Sequence, residues 1–167
     1  AKKGNQFWKR AHLKLAVAWL RILQNHSDIV SIERCLKMYE GIGDGAANKY
    51  IQAIMGSEEQ YVNFLEGDLI IDPKKPTLFD EFRETLLKLE YIIAEEEEPI
   101  KTMVSYLVDY LTPYTEEIWE NDGTTRAEDF DVLVALAEES DSLLGLLDVI
   151  SQQEDRKKNK NRDEVTL

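Results

Sequence analysis

The chain of 167 residues has little of the chemistry on which enzymes and metal sites depend. Its one cysteine, Cys35, excludes an internal disulfide and fits a reducing, cytoplasmic compartment. The two histidines, His12 and His26, have no second histidine or cysteine at the spacing of a zinc site. No glycine-rich loop precedes a Lys-Ser or Lys-Thr pair, so we expect no nucleotide-binding loop. The sequence therefore predicts no catalytic residue, no metal site and no cofactor within this chain.

Long hydrophobic runs are also missing, because charged residues interrupt every apolar stretch. We therefore expect no membrane-spanning segment and no membrane partner, and the first residues do not resemble a secretory signal. The hydrophobic fraction of 43% is nevertheless enough for the core of one domain. Cys35 lies on the apolar side of a predicted helix, where a cysteine is more often a core residue than a nucleophile.

The net charge of −13 argues against nucleic-acid binding over the whole surface, but the charge is unevenly distributed. Residues 1–50 carry nine lysines and arginines against four acidic residues, a local charge of +5. Residues 51–155 carry six against twenty-seven, a local charge of −21. A polyanion is therefore expected only at the end of the molecule that the first fifty residues build.

Apolar residues recur at steps of three and four along most of the chain, which predicts helices rather than strands. Residues 8–24 form the first such stretch, and Pro99 suits the first turn of a later helix that Pro113 kinks or ends. Residues 121–123 read as a turn, and Ser57 and either Ser140 or Asp141 are suited to cap helices. We predict an all-α fold of about eight helices, in a single compact domain over residues 1–151. Residues 152–167 are predicted to be a polar, largely disordered linker that ends in the start of a strand.

The most informative segment is Gly41-Ile42-Gly43, which joins two predicted helices in a helix-hairpin-helix-like turn. Glycine permits positive φ and removes Cβ atoms, so backbone N–H groups of the turn and of the next helix can face a phosphate oxygen. Ile42 is expected to insert into the core. Lys49 is placed to reach the same phosphate or a neighbouring one. Such a contact binds the DNA backbone and reads no sequence.

A second interpretation of this segment is a tight helix–helix connection without any ligand. The basic residues nearby favour the phosphate contact, and we add Arg34 and Lys37 to the candidate DNA-binding set on charge alone. Asp44 opposes a phosphate at this position unless its side chain caps the helix and turns aside.

Several segments, taken in order along the chain, resemble the accessory 2B domain of superfamily 1 DNA helicases of the UvrD, PcrA and Rep kind. Residues 4–10 are similar to a Gly-Gly-x-x-Phe-hydrophobic-Glu-Arg segment of that domain, and residues 13–21 to its Ile-Lys-Asp-x-x-Ala-Tyr-Leu-Arg helix. Residues 31–44 resemble a Ser-x-x-Arg segment that leads to Gly-Ile-Gly-Asp. Residues 126–133 resemble an Arg-x-Glu-Asn-Leu-x-Glu-Leu helix, and residues 163–167 a strand that leads into a motor domain. Three positions depart from the family pattern. The family has an acidic residue where this chain has His12, Asp where it has Leu15 and Asn where it has Asp129, and these positions contact the motor in that family.

The resemblance implies that this chain is a non-enzymatic fragment of an ATP-dependent 3′-to-5′ DNA helicase involved in unwinding, repair or replication restart. ATP and Mg²⁺ would bind the parent's motor domains. The 2B domain of the family contacts duplex DNA ahead of the fork through Gly-Ile-Gly hairpins, and its rotation regulates unwinding and self-association. The expected partners are therefore the duplex backbone and the other domains of the parent helicase.

Two further functions remain open from the sequence. The same helicase module can act as a protein-interaction or self-association domain that uses its acidic half and has little DNA affinity of its own. Alternatively, the chain is an unrelated all-α adaptor whose Gly-Ile-Gly segment matches by accident.

Overall fold

The computed structural model of the protein describes the backbone of residues 5–118 and 123–166 and the side chains of residues 6–116 and 127–154. Within these ranges the ordered elements are all α-helices: α1 (Asn5–Trp8), α2 (Ala11–Gln24), α3 (Ile29–Leu36), α4 (Asp44–Ile54), α5 (Glu58–Leu65), α6 (Asp80–Glu95), α7 (Pro99–Ile118), α8 (Gly123–Glu138) and α9 (Leu143–Thr166). The described residues contain no strand, so the predicted all-α class is confirmed, with nine helices in place of about eight. Of the predicted turn at residues 121–123, only Gly123 lies within the described backbone, and it begins α8.

The helix is interrupted between α1 and α2, although the apolar period predicts a single helix over residues 8–24. Arg10 is extended, with φ −62° and ψ 136°, and acts as the N-cap residue of α2. Contacts with distant helices explain the break: the Trp8 indole donates to Gln153 Oε1 at 2.9 Å, and the Arg10 guanidinium binds Asp129. A straight helix would present only one of these side chains to α8 and α9.

Helix α2 is the centre of the molecule and packs against α3, α6, α7, α8 and α9. Its buried residues run almost without interruption from His12 to Leu23, so it is apolar on nearly every side. A helix of this kind is stable only when other helices surround it. Trp19, which is fully buried, packs against Phe82 of α6 at a ring-centroid distance of 5.3 Å. The Cys35 thiol belongs to the same core, as predicted, and burial raises its pKa well above the usual value.

Local capping fixes several of the remaining helix ends. The side chains of Asp28 and Ser57 accept hydrogen bonds from backbone N–H groups of α3 and α5, at 3.1 Å and 3.3 Å. Ser57 is the predicted cap. Helix α9 is capped by Ser142, 3.0 Å from the Gly145 nitrogen, rather than by Ser140 or Asp141.

Two predictions about helix continuity have different outcomes. Pro113 lies inside α7, which continues from Pro99 to Ile118, so the alternative in which the helix ends there is wrong, whereas a kink at Pro113 stays a prediction. Helix α9 continues through Thr166, so the described part of residues 152–167 is helical where a disordered linker and the start of a strand were expected. The bond from Trp8 to Gln153 holds the first part of this extension against the domain. None of the helices in the described part of the chain is long and apolar enough to cross a bilayer.

A buried polar cluster joins the first and last thirds of the chain. Asp129 of α8 is 3% exposed; its carboxylate accepts hydrogen bonds from Arg10 Nη1 at 2.7 and 2.8 Å and lies 2.8 Å from His12 Nε2. Two of the residues that depart from the resembled pattern, His12 and Asp129, therefore contact each other within this domain.

A second cluster surrounds His26 in the turn between α2 and α3. Its ring stacks on Tyr61 with centroids 3.8 Å apart, and its two nitrogens lie 2.8 Å from Glu58 Oε2 and 3.0 Å from Glu90 Oε1. The hydrogen bond to Glu90, followed by that to Glu58, raises the pKa of His26 against the opposing effect of burial. The cluster links the α2–α3 turn to α5 and α6.

Candidate nucleic-acid interface

The Gly-Ile-Gly turn lies between the end of α3 and the start of α4, and its three residues differ in backbone conformation and burial. Gly41 has φ +91°, a conformation that glycine adopts more readily than other residues. Ile42 is buried at 5% exposure, and its N–H donates to the Tyr39 carbonyl oxygen at 3.2 Å. The predictions of a positive-φ glycine and of an inserted isoleucine are therefore confirmed for Gly41 and Ile42.

Gly43 has a different role, because it is the N-cap residue of α4 and is extended, with φ −101° and ψ −164°. Its carbonyl oxygen accepts the first intrahelical hydrogen bond, from Ala47 N at 3.0 Å, but it supplies no side-chain cap. A Cβ added at Gly43 would have no atom within 4 Å. The N–H groups that open α4 therefore have no side-chain acceptor in the described part of the molecule, and the space beside Gly43 is open. Orphan donors and the helix dipole make this end of α4 favourable for an anion.

Lys37 lies at this end of α4 and is already paired. Its ammonium contacts the carboxylates of Asp44, the first residue of α4, and Glu33, the latter at 3.3 Å. The hydrogen bond between Lys37 and Asp44 raises the pKa of Lys37 and lowers the pKa of Asp44. The sequence analysis allowed Asp44 to cap α4 with its side chain. In the structure Asp44 does not cap the helix, and its carboxylate contacts Lys37 instead. This pairing offsets the negative charge nearest the turn.

Lys49 lies further along α4, and its side chain is fixed by another partner. Its Nζ is 3.1 Å from Oδ2 of Asp72, a buried residue in the connection between α5 and α6. Asp72 also accepts the Lys74 N–H at 3.0 Å, and this bond followed by that from Lys49 lowers the pKa of Asp72. Lys49 is still 53% exposed, so it holds the connection in place while facing solvent.

Arg34 is exposed on α3, one turn before Lys37, and lines an open groove between α2 and α3 together with Lys14. Neither Arg34 nor Lys14 forms an ion pair with a described residue. The structure thus brings Lys37 directly to the turn, places Arg34 on the adjoining face of α3, and ties Lys49 to the α5–α6 connection.

A tyrosine network supports the turn from beneath, and the sequence analysis missed it. The Tyr39 hydroxyl is 2.7 Å from that of Tyr110, and both Tyr110 and Tyr114 donate to the Glu81 carboxylate. Burial, followed by the bond to Tyr110, raises the pKa of Tyr39, so the phenol stays protonated. The spacing of four between Tyr110 and Tyr114 on one helix face is the signal that could have revealed the network.

Among the described side chains, no group of three or more His, Cys, Asp and Glu residues converges as a metal ion requires. What the described side chains and helix ends offer instead is binding chemistry: an open helix N-terminus, a glycine turn and neighbouring cations.

Comparison with known proteins identifies a family. The model of the family described as the UvrD-like helicase C-terminal domain matches residues 2–166, which is nearly the whole chain. No curated protein and no solved structure matches.

Proposed function

The chain belongs to the family of UvrD-like helicase C-terminal domains, and from this membership we propose that it is a duplex-DNA-contacting, regulatory 2B domain of an ATP-dependent 3′-to-5′ DNA helicase. Its partners would be the DNA backbone near the fork and the other domains of the parent helicase. ATP and Mg²⁺ would bind those other domains, and the whole protein would act in the cytoplasm.

The observation that carries this proposal is the uncapped N-terminus of α4 at Gly43. The turn exposes backbone donors beside open space, and Ile42 fixes its position from within the core. A phosphate oxygen is the ligand that such a helix end accepts best, because the donors and the dipole both favour an anion. A contact of this kind is independent of base sequence, as a helicase that moves along any DNA requires.

The flanking cations extend the contact. We include Lys37, Arg34 and Lys49 in the DNA-binding set, together with Gly41, Ile42 and Gly43. A phosphate at the α4 N-terminus would compete with Asp44 for Lys37. Because Lys37 and Lys49 already have acidic partners, we expect modest affinity. The acidic charge of residues 51–155 would repel DNA from the rest of the surface.

Fluorescence anisotropy with a short labelled duplex at low salt tests the proposal. Gly43→Asp adds a carboxylate that caps the α4 N–H groups and repels phosphate, so we expect it to abolish binding without unfolding the protein. Gln52→Glu, an exposed position further along the same helix, adds the same charge away from the turn and is the matched control. Two or three phosphate contacts predict a slope of about −2 to −3 in log affinity against log salt. Equal losses in the two variants would contradict the assignment of the turn.

The alternative function is protein interaction or self-association of the same helicase module through its acidic half. The observation that favours it is an exposed apolar pair on α6, Leu87 at 44% and Tyr91 at 56% exposure. Sedimentation of the wild type and of Tyr91→Glu over a range of concentrations tests it, since self-association through this pair would be lost in the variant.

A further inference from the structure

The face between α2 and α3 carries a feature that the DNA contact does not explain. An open groove of about 490 Å³ runs between the two helices, and it adjoins a second hollow of about 280 Å³ beside α1. Lys14, Val30 and Arg34 line both. We call the two together the α2–α3 groove.

The floor of the α2–α3 groove is aliphatic. It is formed by Ala11, Leu15, Val30 and Met38 in the larger hollow and by Val17 and Ala18 in the smaller one. Val30 is 69% exposed and its neighbour Ile29 is 43% exposed, whereas the other apolar residues of α3 are buried. Val30 and Arg34 lie four residues apart on one face of α3, and Met38 follows in the turn after the helix, so this side of α3 presents a second, partly apolar surface to the groove. Leu15, Val17 and Ala18 are nearly buried, so Val30 is the large aliphatic side chain that a partner would remove from water, and its burial would favour binding.

The rim of the groove is cationic. Lys14 and Arg34 flank the larger hollow, and Lys9 and Arg21 flank the smaller one, all without an ion pair to a described side chain. The acids that line the groove are Glu33, which is paired with Lys37, and Glu154. On a chain whose net charge is −13, this rim is a local reversal of sign.

The combination of floor and rim selects the occupant. Duplex DNA contacts a basic surface through its phosphates and would leave the aliphatic floor uncovered. Single-stranded nucleic acid stacks its bases on aromatic side chains, but Trp8, the aromatic residue among the described lining, is 2% exposed. A helix with carboxylates beside an apolar stripe matches both parts, because its apolar side chains would cover Val30 while its acids pair with Lys14 and Arg34.

We propose that the α2–α3 groove is a docking site for an acidic amphipathic helix of a partner protein. The proposal does not depend on the DNA contact, although Arg34 and Lys37 belong to both surfaces. Val30 belongs to the groove alone, and Gly43 to the turn alone, so variants at these two positions separate the two proposals.

The test is a titration of the full chain into a labelled synthetic peptide that forms a helix with leucines on one face and glutamates flanking them. Two control peptides accompany it: a scrambled peptide of the same composition and a polyglutamate. We expect Val30→Asp and Arg34→Glu each to weaken binding about tenfold. The first removes an aliphatic contact with the peptide and repels its carboxylates, and the second removes one charge pair. Val62→Asp and Lys88→Glu, exposed positions on α5 and α6, are the matched controls and should leave binding unchanged.

The outcomes divide cleanly. Preference for the amphipathic peptide over both control peptides, lost in Val30→Asp and retained in Gly43→Asp, supports the docking site even if duplex binding fails. Equal binding of all three peptides, or sensitivity to Arg34→Glu without sensitivity to Val30→Asp, would reduce the groove to a general polyanion surface and overturn the proposal. Absence of binding at low salt by a folded chain would also overturn it.

Discussion

Replacement of Gly41 by alanine tests how the turn is built. At φ +91° an alanine pays the steric cost of a left-handed conformation, about 1–2 kcal/mol. The nearest atom to the new Cβ would be Leu78 Cδ1 at 3.4 Å, an ordinary contact, so the cost is one of backbone conformation rather than of overlap. In a chain of this length the melting temperature should fall by roughly 2–8 °C.

Gly43→Ala is the matched comparison, because Gly43 is extended and its Cβ would meet nothing within 4 Å. The alanine restricts the unfolded chain, which favours folding, but it is a poorer N-cap residue than glycine, and these effects nearly cancel. Urea denaturation of both variants gives the two free energies of unfolding, when the dependence of free energy on urea concentration is taken as the same for both. Equal losses at the two positions would refute the distinction between a strained glycine at 41 and an open one at 43.

Three predictions concern the rest of the fold. The pKa of His26 is raised, chiefly by its hydrogen bond to Glu90, so its contribution to stability is complete below pH 6.5 and is lost as the pH rises through the folded pKa. Melting curves should therefore show a larger gap between the wild type and His26→Gln at about pH 5.5 than at about pH 8.5, and a constant gap would contradict this. Asp129→Ala removes the carboxylate that accepts from Arg10 and lies beside His12, and should cost roughly 2–3 kcal/mol by urea denaturation; a loss below about 0.5 kcal/mol would show the cluster to be dispensable. Leu107→Ala should cost about 2–5 kcal/mol because Leu107 is fully buried, whereas Leu87→Ala, at 44% exposure, should cost under about 1 kcal/mol.

The apolar period predicted the helical class and most of the core because those properties depend on local pattern. It did not predict the break at Arg10, because that residue leaves the helix to bind Asp129, more than one hundred positions away in sequence. The extension of α9 was missed for a different reason. Low hydrophobicity suggested disorder, but glutamine, glutamate, lysine and arginine are good helix formers, and Gln153 is held by Trp8.

The candidate site shows the same division. A glycine with positive φ and a buried isoleucine follow from the turn itself, and both were predicted. The partners of Lys37 and Lys49 were not, since Asp72 reaches Lys49 only through the folded α5–α6 connection. The groove beside Arg34 was also beyond the sequence. Val30 is out of register with the core residues Ile32, Cys35 and Leu36, but only the structure shows that it lies beside Lys14 and Leu15 of α2.

The most direct test of the central claim is the anisotropy of a labelled duplex titrated with the wild type, Gly43→Asp and Gln52→Glu at low salt, with thermal melting of each protein as the control for folding. We predict binding by the wild type and by Gln52→Glu, and none by Gly43→Asp, which should melt no lower than the wild type because the new carboxylate caps α4. Undiminished binding by folded Gly43→Asp would contradict the claim that the N-terminus of α4 contacts the DNA backbone.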